Sequence, residues 1–284
     1  MTKFSKLEPR SEGANILGMH LEGPFINPLR KGAHAEKHLR RPVDGWHALD
    51  RMYGSLDHVA IITMAPELPG ALDTVRELVN RGIVVSAGHT CASISEALKA
   101  CAAGMTMITH LFNAMTPFHH RDPGIIGLLG KTGRRPFYGM ILDGIHSHPT
   151  SCCIATQTHP DGLVLVTDAM AGMGLCAGTY KLGGQNVTIE PGAKKAVLQG
   201  TDTIAGSVVT MDECIRTLIN ATNCAVEFAL ECAALHPAQL LGLDKKGTLD
   251  FGQDADFVLL DEQLHVQATY IDGQCVWRSG SWVG

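Results

Sequence analysis

Four short segments carry the side chains able to do chemistry together. Gly18-Met19-His20-Leu21-Glu22-Gly23-Pro24-Phe25, Ser86-Ala87-Gly88-His89-Thr90 and Thr109-His110-Leu111-Phe112-Asn113-Ala114-Met115 each close an apolar or β-branched run with a metal-capable group. Leu163-Val164-Leu165-Val166-Thr167-Asp168 repeats the pattern with a carboxylate. One carboxylate, two imidazoles and a further aspartate are the parts of metal-activated hydrolysis. Three protein ligands with an open fourth position describe a catalytic zinc, whereas structural sites are closed. Such an ion lowers the pKa of its bound water towards ~7 and leaves a hydroxide nucleophile at neutral pH. Asp168 is the group to hold that water, take its proton and return it to a leaving amine.

Singly, each of these residues has a quieter reading. A strand-end histidine can be a hydrogen-bonded structural residue, Glu22 can cap the loop before Pro24, and Asp168 can be a helix N-cap or turn residue. Their shared placement favours catalysis. Polar groups at the ends of successive buried strands are how a (β/α) barrel builds an active site. The interval from His89 to His110 matches one βα unit, and that from Glu22 to His89 matches two.

The elements that must position them read as alternating strands and helices. Strands are expected at Ile16–His20, Val59–Thr63, Ile83–Ala87, Thr106–Thr109, Tyr138–Leu142 and Leu163–Thr167. Ala71–Arg81 sets Leu72, Val75, Leu78 and Val79 on one face and stops at Gly82. Ser93–Ala103 opens with a capping-box spacing, Ser93 to Glu96, and ends at Gly104. Met211–Ala221 and Val226–Leu235 are further helices, the second running into His236-Pro237. This alternation implies a parallel sheet with right-handed crossovers. After Asp168 the chain reads as turns, through Gly172, Gly174, Gly178, Gly183 and Gly184. The stretch 247–277 reads as short antiparallel strands, Phe257–Leu260 and Gln267–Ile271 before the Asp272-Gly273 turn.

Further polar residues follow the same strand ends: Lys31 to His34, Asn113-Ala114, His119-His120-Arg121-Asp122, and Asp143-Gly144-Ile145-His146. A guanidinium near several imidazoles suits an anionic substrate, with Arg121 the foremost phosphate candidate. Its alternative is a solvated surface arginine. Gly130-Lys131-Thr132 is not a phosphate loop, because the Walker spacing needs glycine where Ile125 stands. His38, His47, His58, His159 and His265 are left as surface or packing residues.

The bulk properties exclude several classes. The chain has 284 residues, 45% hydrophobic and 18% charged, with a net charge of −5, so it offers no basic footprint for nucleic acid. No apolar stretch is long enough to span a bilayer, and the first ten residues lack a secretory signal. Of nine cysteines, Cys91, Cys101, Cys214, Cys224 and Cys232 fall in helical patterns and none forms a Cys-x-x-Cys pair, so reduced thiols in a cytoplasmic protein are expected. The sequons at Asn186 and Asn220 are then accidental.

The chain resembles the N-acetylglucosamine-6-phosphate deacetylases of the amidohydrolase superfamily, the animal members above all, from about Ile16 to Trp277. The resemblance rests on His20-Leu-Glu-Gly-Pro-Phe25, Gly88-His-Thr90, His110-Leu-Phe-Asn-Ala-Met115, His119-His-Arg-Asp-Pro-Gly124, Val166-Thr-Asp-Ala169, Ala205-Gly-Ser207 and Lys246–Phe257. It implies a TIM-like metal-dependent hydrolase barrel over residues 1–246 and the C-terminal strands of a small β-sandwich over 247–284. Family members carry a longer N-terminal region with the first two barrel strands, so about six strands and an N-terminally truncated barrel are expected here. Truncation would leave two unpaired edges.

The resemblance implies one divalent ion per subunit, held by Glu22, His89 and His110: zinc foremost, with iron, cobalt or manganese also acceptable to such donors. It makes Asp168 the general base and acid. It assigns substrate contacts to Ala33, His34, Asn113, Ala114, Arg121, Asp143, Gly144, Ile145, His146, Ile204, Ala205 and Gly206. His146 would polarise the acetamide carbonyl, and Arg121 would reach the phosphate in a neighbouring subunit, which implies a homodimer. The implied reaction is hydrolysis of N-acetylglucosamine 6-phosphate to glucosamine 6-phosphate and acetate, with no nucleic-acid or membrane partner. Two alternatives stand beside it. One is a catalytically inactive truncated member; the other is an amidohydrolase acting on a different amide or a phosphotriester. Binuclear enzymes of the latter kind often use a carboxylated lysine at a strand end, and no expected strand ends in lysine.

Overall fold

A six-stranded parallel sheet runs in simple sequential order, each strand pairing with the next along the chain. The structure, a computed structural model, describes residues 14–182 and 184–280. The strands are β1 (Met19–Glu22), β2 (Val59–Met64), β3 (Val84–Ala87), β4 (Met107–Ile108), β5 (Phe137–Ile141) and β6 (Leu163–Val166). Helices α1 (Trp46–Tyr53), α2 (Ala71–Asn80), α3 (Ile94–Ala102) and α4 (Pro149–Thr158) lie on four of the crossovers. A 3-10 segment, Gly124–Gly130, lies on the β4-to-β5 connection instead. The sheet is curled into a half-barrel. Among the described residues β1 pairs only with β2 and β6 only with β5, so the sheet is open.

Local sequence explains most of this. Strand cores such as Ile62, Val85, Ile108, Met140 and Leu165 are buried, as both faces of a parallel sheet demand. In α3 the Ser93 Oγ accepts the Glu96 N–H while the Glu96 carboxylate accepts the Ser93 N–H, the capping box read from the spacing. Val75 and Leu78 of α2 are buried, while Val79 is 37% exposed at the edge of that stripe. The first strand begins later than the sequence suggests: Ile16 and Leu17 are exposed coil, because Met19 already pairs with Val59, the first residue of β2.

Other differences have equally plain causes. Helix α1, not among the expected elements, is only two turns long between Gly45 and Gly54 and buries Leu49 fully, with Trp46, Ala48, Met52 and Tyr53 packed partly buried against the core. Helix α4, missed altogether, is rich in Thr, Ser and Cys, which are mediocre helix formers. It is started by Pro149 at N1 and by the His148 ring accepting the Thr150 N–H. The expected helix to Leu235 is two helices, α6 (Val226–Ala233) and α7 (Leu235–Leu241), with Pro237 tolerated in the first turn of the second. Cys91 and Cys224 lie in loops, not helices, and all nine cysteines are free.

The largest correction concerns the stretch read as turns after Asp168. It folds into a four-stranded antiparallel sheet: β7 (Gly178–Leu182), β8 (Gln185–Ile189), β9 (Lys195–Leu198) and β10 (Ile204–Ser207). Its small core is Met170, Val187, Ile189 and Ala196. Glycines between short polar strands mimic a plain loop, and the Gly183 half of the expected Gly183-Gly184 turn lies outside the described residues. The N-terminal decapeptide, expected to carry no signal, lies outside them too. Helix α5 (Met211–Thr222), with α6 and α7, packs against β6. The C-terminal strands β11 (Phe257–Leu260), β12 (Val266–Ile271) and β13 (Gln274–Arg278) form a separate antiparallel sheet, one strand more than expected. Among the described residues no helix is long and apolar enough to cross a membrane.

Candidate metal centre

The ends of β1, β3 and β4 bring Glu22, His89 and His110 together. The Glu22 Oε1 lies 2.7 Å from His89 Nε2 and 3.7 Å from His110 Nε2, and the two imidazole nitrogens are 3.1 Å apart. Both histidines are buried, 5% and 6% exposed, at the foot of a cavity of about 1100 Å³. These three form a possible metal-binding triad, the only group of three or more such residues so placed among the described residues. No strand of the parallel sheet ends in lysine, so a carboxylated-lysine bridge has no origin there.

The donor chemistry fits a cation. His89 Nδ1 donates to the Arg30 carbonyl at 2.6 Å, which leaves the Nε2 lone pair aimed at a carboxylate oxygen. Lone pair facing lone pair is repulsive unless a proton or metal ion sits between them. Burial would raise the Glu22 pKa, but hydrogen bonding to His110 and His89 outweighs it and holds the carboxyl far below the usual range. Burial would lower His110, yet hydrogen bonding and charge from Glu22 raise it above the ordinary histidine value. A site that draws a proton this strongly suits a divalent ion, and binding the ion releases that proton.

Backbone strain marks the same residues. His89, His110 and Asp168 are each the second residue beyond a strand, and each adopts a positive φ, +48°, +29° and +46°. For non-glycine residues this costs of order 1–3 kcal/mol each and persists only when surroundings enforce it. The enforcement is the same each time. Their carbonyls each accept a backbone N–H: from Asn27 in the loop after β1 to His89 at 2.9 Å, from Asn113 three residues on to His110 at 2.9 Å, and from Ser207 at the end of β10 to Asp168 at 3.0 Å. Gly88 must be glycine, because a Cβ there would meet Thr63 Cγ2 at 2.7 Å and Thr109 Cβ at 2.8 Å.

Asp168 is exposed on the cavity wall, together with Ala33, His34, Asn113, Ala114, His146, Ile204, Ala205 and Gly206. The His34 Nε2 lies 3.9 Å from Glu22 Oε1, and its ring meets His89 edge-on. His146 donates from Nδ1 to Asp143 Oδ2 at 2.6 Å, while Asp143 Oδ1 accepts the N–H groups of Ile145 and His146. Asp143 is thus buried beneath the loop that presents His146. Burial works against its ionisation, but these hydrogen bonds win and lower its pKa below the usual value. Asp143, Gly144 and Ile145 do not line the cavity, and neither does Arg121, which is exposed on its own loop.

Several further residues line the cavity without having stood out in the sequence. His20 lines the cavity on the same face of β1 as Glu22, and burial pushes its pKa down, partly opposed by Glu22. Its Nε2 contacts Thr63 Oγ1 at 2.7 Å, from which buried hydroxyls continue through Thr109 at 2.6 Å to Ser86 at 2.5 Å. Polar residues at inward positions of apolar strands were the available signal. Arg30, Lys37 and Gln185 also line the cavity. Gln185 of β8 donates to the Ala33 carbonyl at 2.8 Å, joining the antiparallel sheet to the loop after β1.

Comparison with known proteins agrees with this picture. The model of the amidohydrolase family matches residues 10–277. The N-acetylglucosamine-6-phosphate deacetylase of Bos taurus is 54% identical over 94% of this chain, and the chain spans 66% of that relative's length. The solved N-acetylglucosamine-6-phosphate deacetylase of Thermotoga maritima superimposes with a TM-score of 0.85 at 34% identity, over 93% of this chain and 70% of that one. A mutant of the Mycobacterium smegmatis enzyme in complex with N-acetyl-D-glucosamine-6-phosphate gives a TM-score of 0.82 at 39% identity, over 91% and 68%. The chain therefore belongs to the amidohydrolase family, and the relatives it matches are N-acetylglucosamine-6-phosphate deacetylases.

Proposed function

We propose that this chain hydrolyses the acetamide of N-acetylglucosamine 6-phosphate, giving glucosamine 6-phosphate and acetate. The observation that carries the reading is the convergence of Glu22, His89 and His110 in a cavity whose wall holds Asp168 and His146. Zinc is the ion we assign, because a carboxylate and two imidazoles with open positions describe catalytic zinc, though iron, cobalt and manganese accept the same donors. When bound, the ion supplies Lewis acidity and brings the pKa of water towards ~7.

The residues divide the remaining work. Asp168 takes a proton from the attacking water at its carboxylate and delivers it to the departing amine. His146, held through Nδ1 by Asp143, directs its Nε2 side to the acetamide oxygen, where negative charge develops. The Asp143 carboxylate holds the ring in that orientation. Ala33, His34, Asn113, Ala114 and Ile204 to Gly206 surround the sugar. Arg30 and Lys37 supply positive charge on the wall of this chain's own cavity. Arg121, exposed and away from that cavity, is assigned to the phosphate in a neighbouring subunit of a homodimer. Nine free thiols support a cytoplasmic location.

Acetate release from N-acetylglucosamine 6-phosphate by zinc-loaded protein tests the assignment. A second reading, an inactive family member, draws on the unpaired edges of β1 and β6 among the described residues. It predicts stoichiometric metal without acetate.

A further inference from the structure

We propose that Glu67 is a positioning residue of the metal centre, whose three hydrogen bonds set both the backbone and the ring of His89. The proposal rests on reading Glu22, His89 and His110 as metal ligands. Glu67 stands on the loop after β2, three residues beyond Met64, and does not line the cavity. Its carboxylate accepts from three neutral donors on two other loops: Asn27 Nδ2 at 2.9 Å, Thr90 Oγ1 at 2.6 Å and the Cys91 N–H at 2.6 Å. One carboxylate thus ties the loop after β1, which follows Glu22, to the loop after β3, which carries His89.

His89 can offer Nε2 to an ion only if its left-handed backbone, its ring rotation and its tautomer are all fixed. Glu67 bears on each. Thr90 and Cys91 directly follow His89, so anchoring them holds its φ of +48°. Asn27 donates its own N–H to the His89 carbonyl, and its Oδ1 accepts the Leu29 N–H, starting the short turn Pro28–Arg30. That turn delivers the Arg30 carbonyl to His89 Nδ1 at 2.6 Å, which orients the ring and leaves Nε2 for the ion. Loss of partners that orient a metal ligand typically costs roughly 10- to 100-fold in metal affinity. The carboxylate offers an acceptor to all three donors; a glutamine amide could keep Asn27 and the Cys91 N–H on its oxygen only if the Thr90 hydroxyl turned to accept from its NH2.

The test is zinc affinity of the metal-stripped full chain, by competition with a chromogenic chelator. Glu67→Ala is expected to weaken zinc binding about 10- to 100-fold and Glu67→Gln by a smaller factor in the same direction. Glu77→Ala, which removes a carboxylate pairing with Arg81 on α2, should stay within about twofold. A lower melting temperature of the stripped protein with unchanged zinc affinity would mean a merely structural role and would overturn the proposal. If Glu67→Ala does not fold, Glu67→Gln decides by the same criterion. Wild-type protein that takes up no zinc would instead sink the metal-centre reading itself, and this proposal with it.

Discussion

The carbonyl oxygen of Asp168 accepts the backbone N–H of Ser207 at 3.0 Å, and the Ser207 carbonyl in turn accepts the Met170 N–H at 3.0 Å. Ser207 Oγ also donates to the Thr167 carbonyl. Asp168 is therefore gripped from β10, by the antiparallel sheet that interrupts the barrel sequence.

Gly206 makes that grip possible. Its φ is +128°, and a Cβ there would lie 3.1 Å from the Asp168 carbonyl oxygen and 3.3 Å from Met170 Cβ. Gly206→Ala should destabilise the protein by about 1–3 kcal/mol and lower kcat at least roughly tenfold, with metal stoichiometry unchanged. Thermal melts, kcat and metal analysis on one preparation check all three.

Metal affinity should depend on pH in a definite direction. His110 has a raised pKa, so below that value a proton competes with the ion for its nitrogen. Zinc binding is expected to weaken as pH falls, by roughly tenfold per unit where one proton is displaced. Chelator competition across pH 6 to 8 measures the slope, and a flat profile would contradict the assigned His110 ligand.

Acid stability should carry the signature of Asp143. Its folded pKa is lowered, so its contribution is present above the unfolded value of about 3.9 and is lost as pH falls through the folded one. Melting temperatures measured from pH 6 down to pH 3 should fall more steeply for wild type than for Asp143→Asn. Equal slopes would mean the His146 pair does not act on stability.

Arg121 offers a test of the homodimer. Arg121→Ala should raise KM for the phosphorylated substrate on the order of 10- to 100-fold, the worth of a lost charge-assisted contact. Mixing it with Asp168→Asn protein should restore turnover at low substrate, because hybrid dimers then hold one complete site. No recovery on mixing would place Arg121 outside any shared site.

The fold and the site were unequally legible. Six apolar runs announced the parallel strands, and the metal-capable residues at their ends announced the triad, because buried strands admit few polar groups without a use for them. The sheet that holds Asp168 was hidden: Gly178 and Gly184 next to strands such as Gln185–Ile189 resemble loop. The alternation of Val187 and Ile189 with polar neighbours was the signal it left. Positive φ at His89 and Asp168 had no signal, since hydrogen bonds from Asn27 and Ser207, distant in sequence, impose it against local preference. Glu67 was equally silent, its three donors being distant in sequence.

Metal content and acetate release, measured together on purified wild-type protein and on Asp168→Asn, test the central claim most directly. The account predicts about one divalent ion per chain in both proteins. It predicts acetate from N-acetylglucosamine 6-phosphate for wild type, with turnover reduced by roughly 10²–10⁴ in the variant. Wild-type protein that holds no ion, or holds it and releases no acetate, would contradict it.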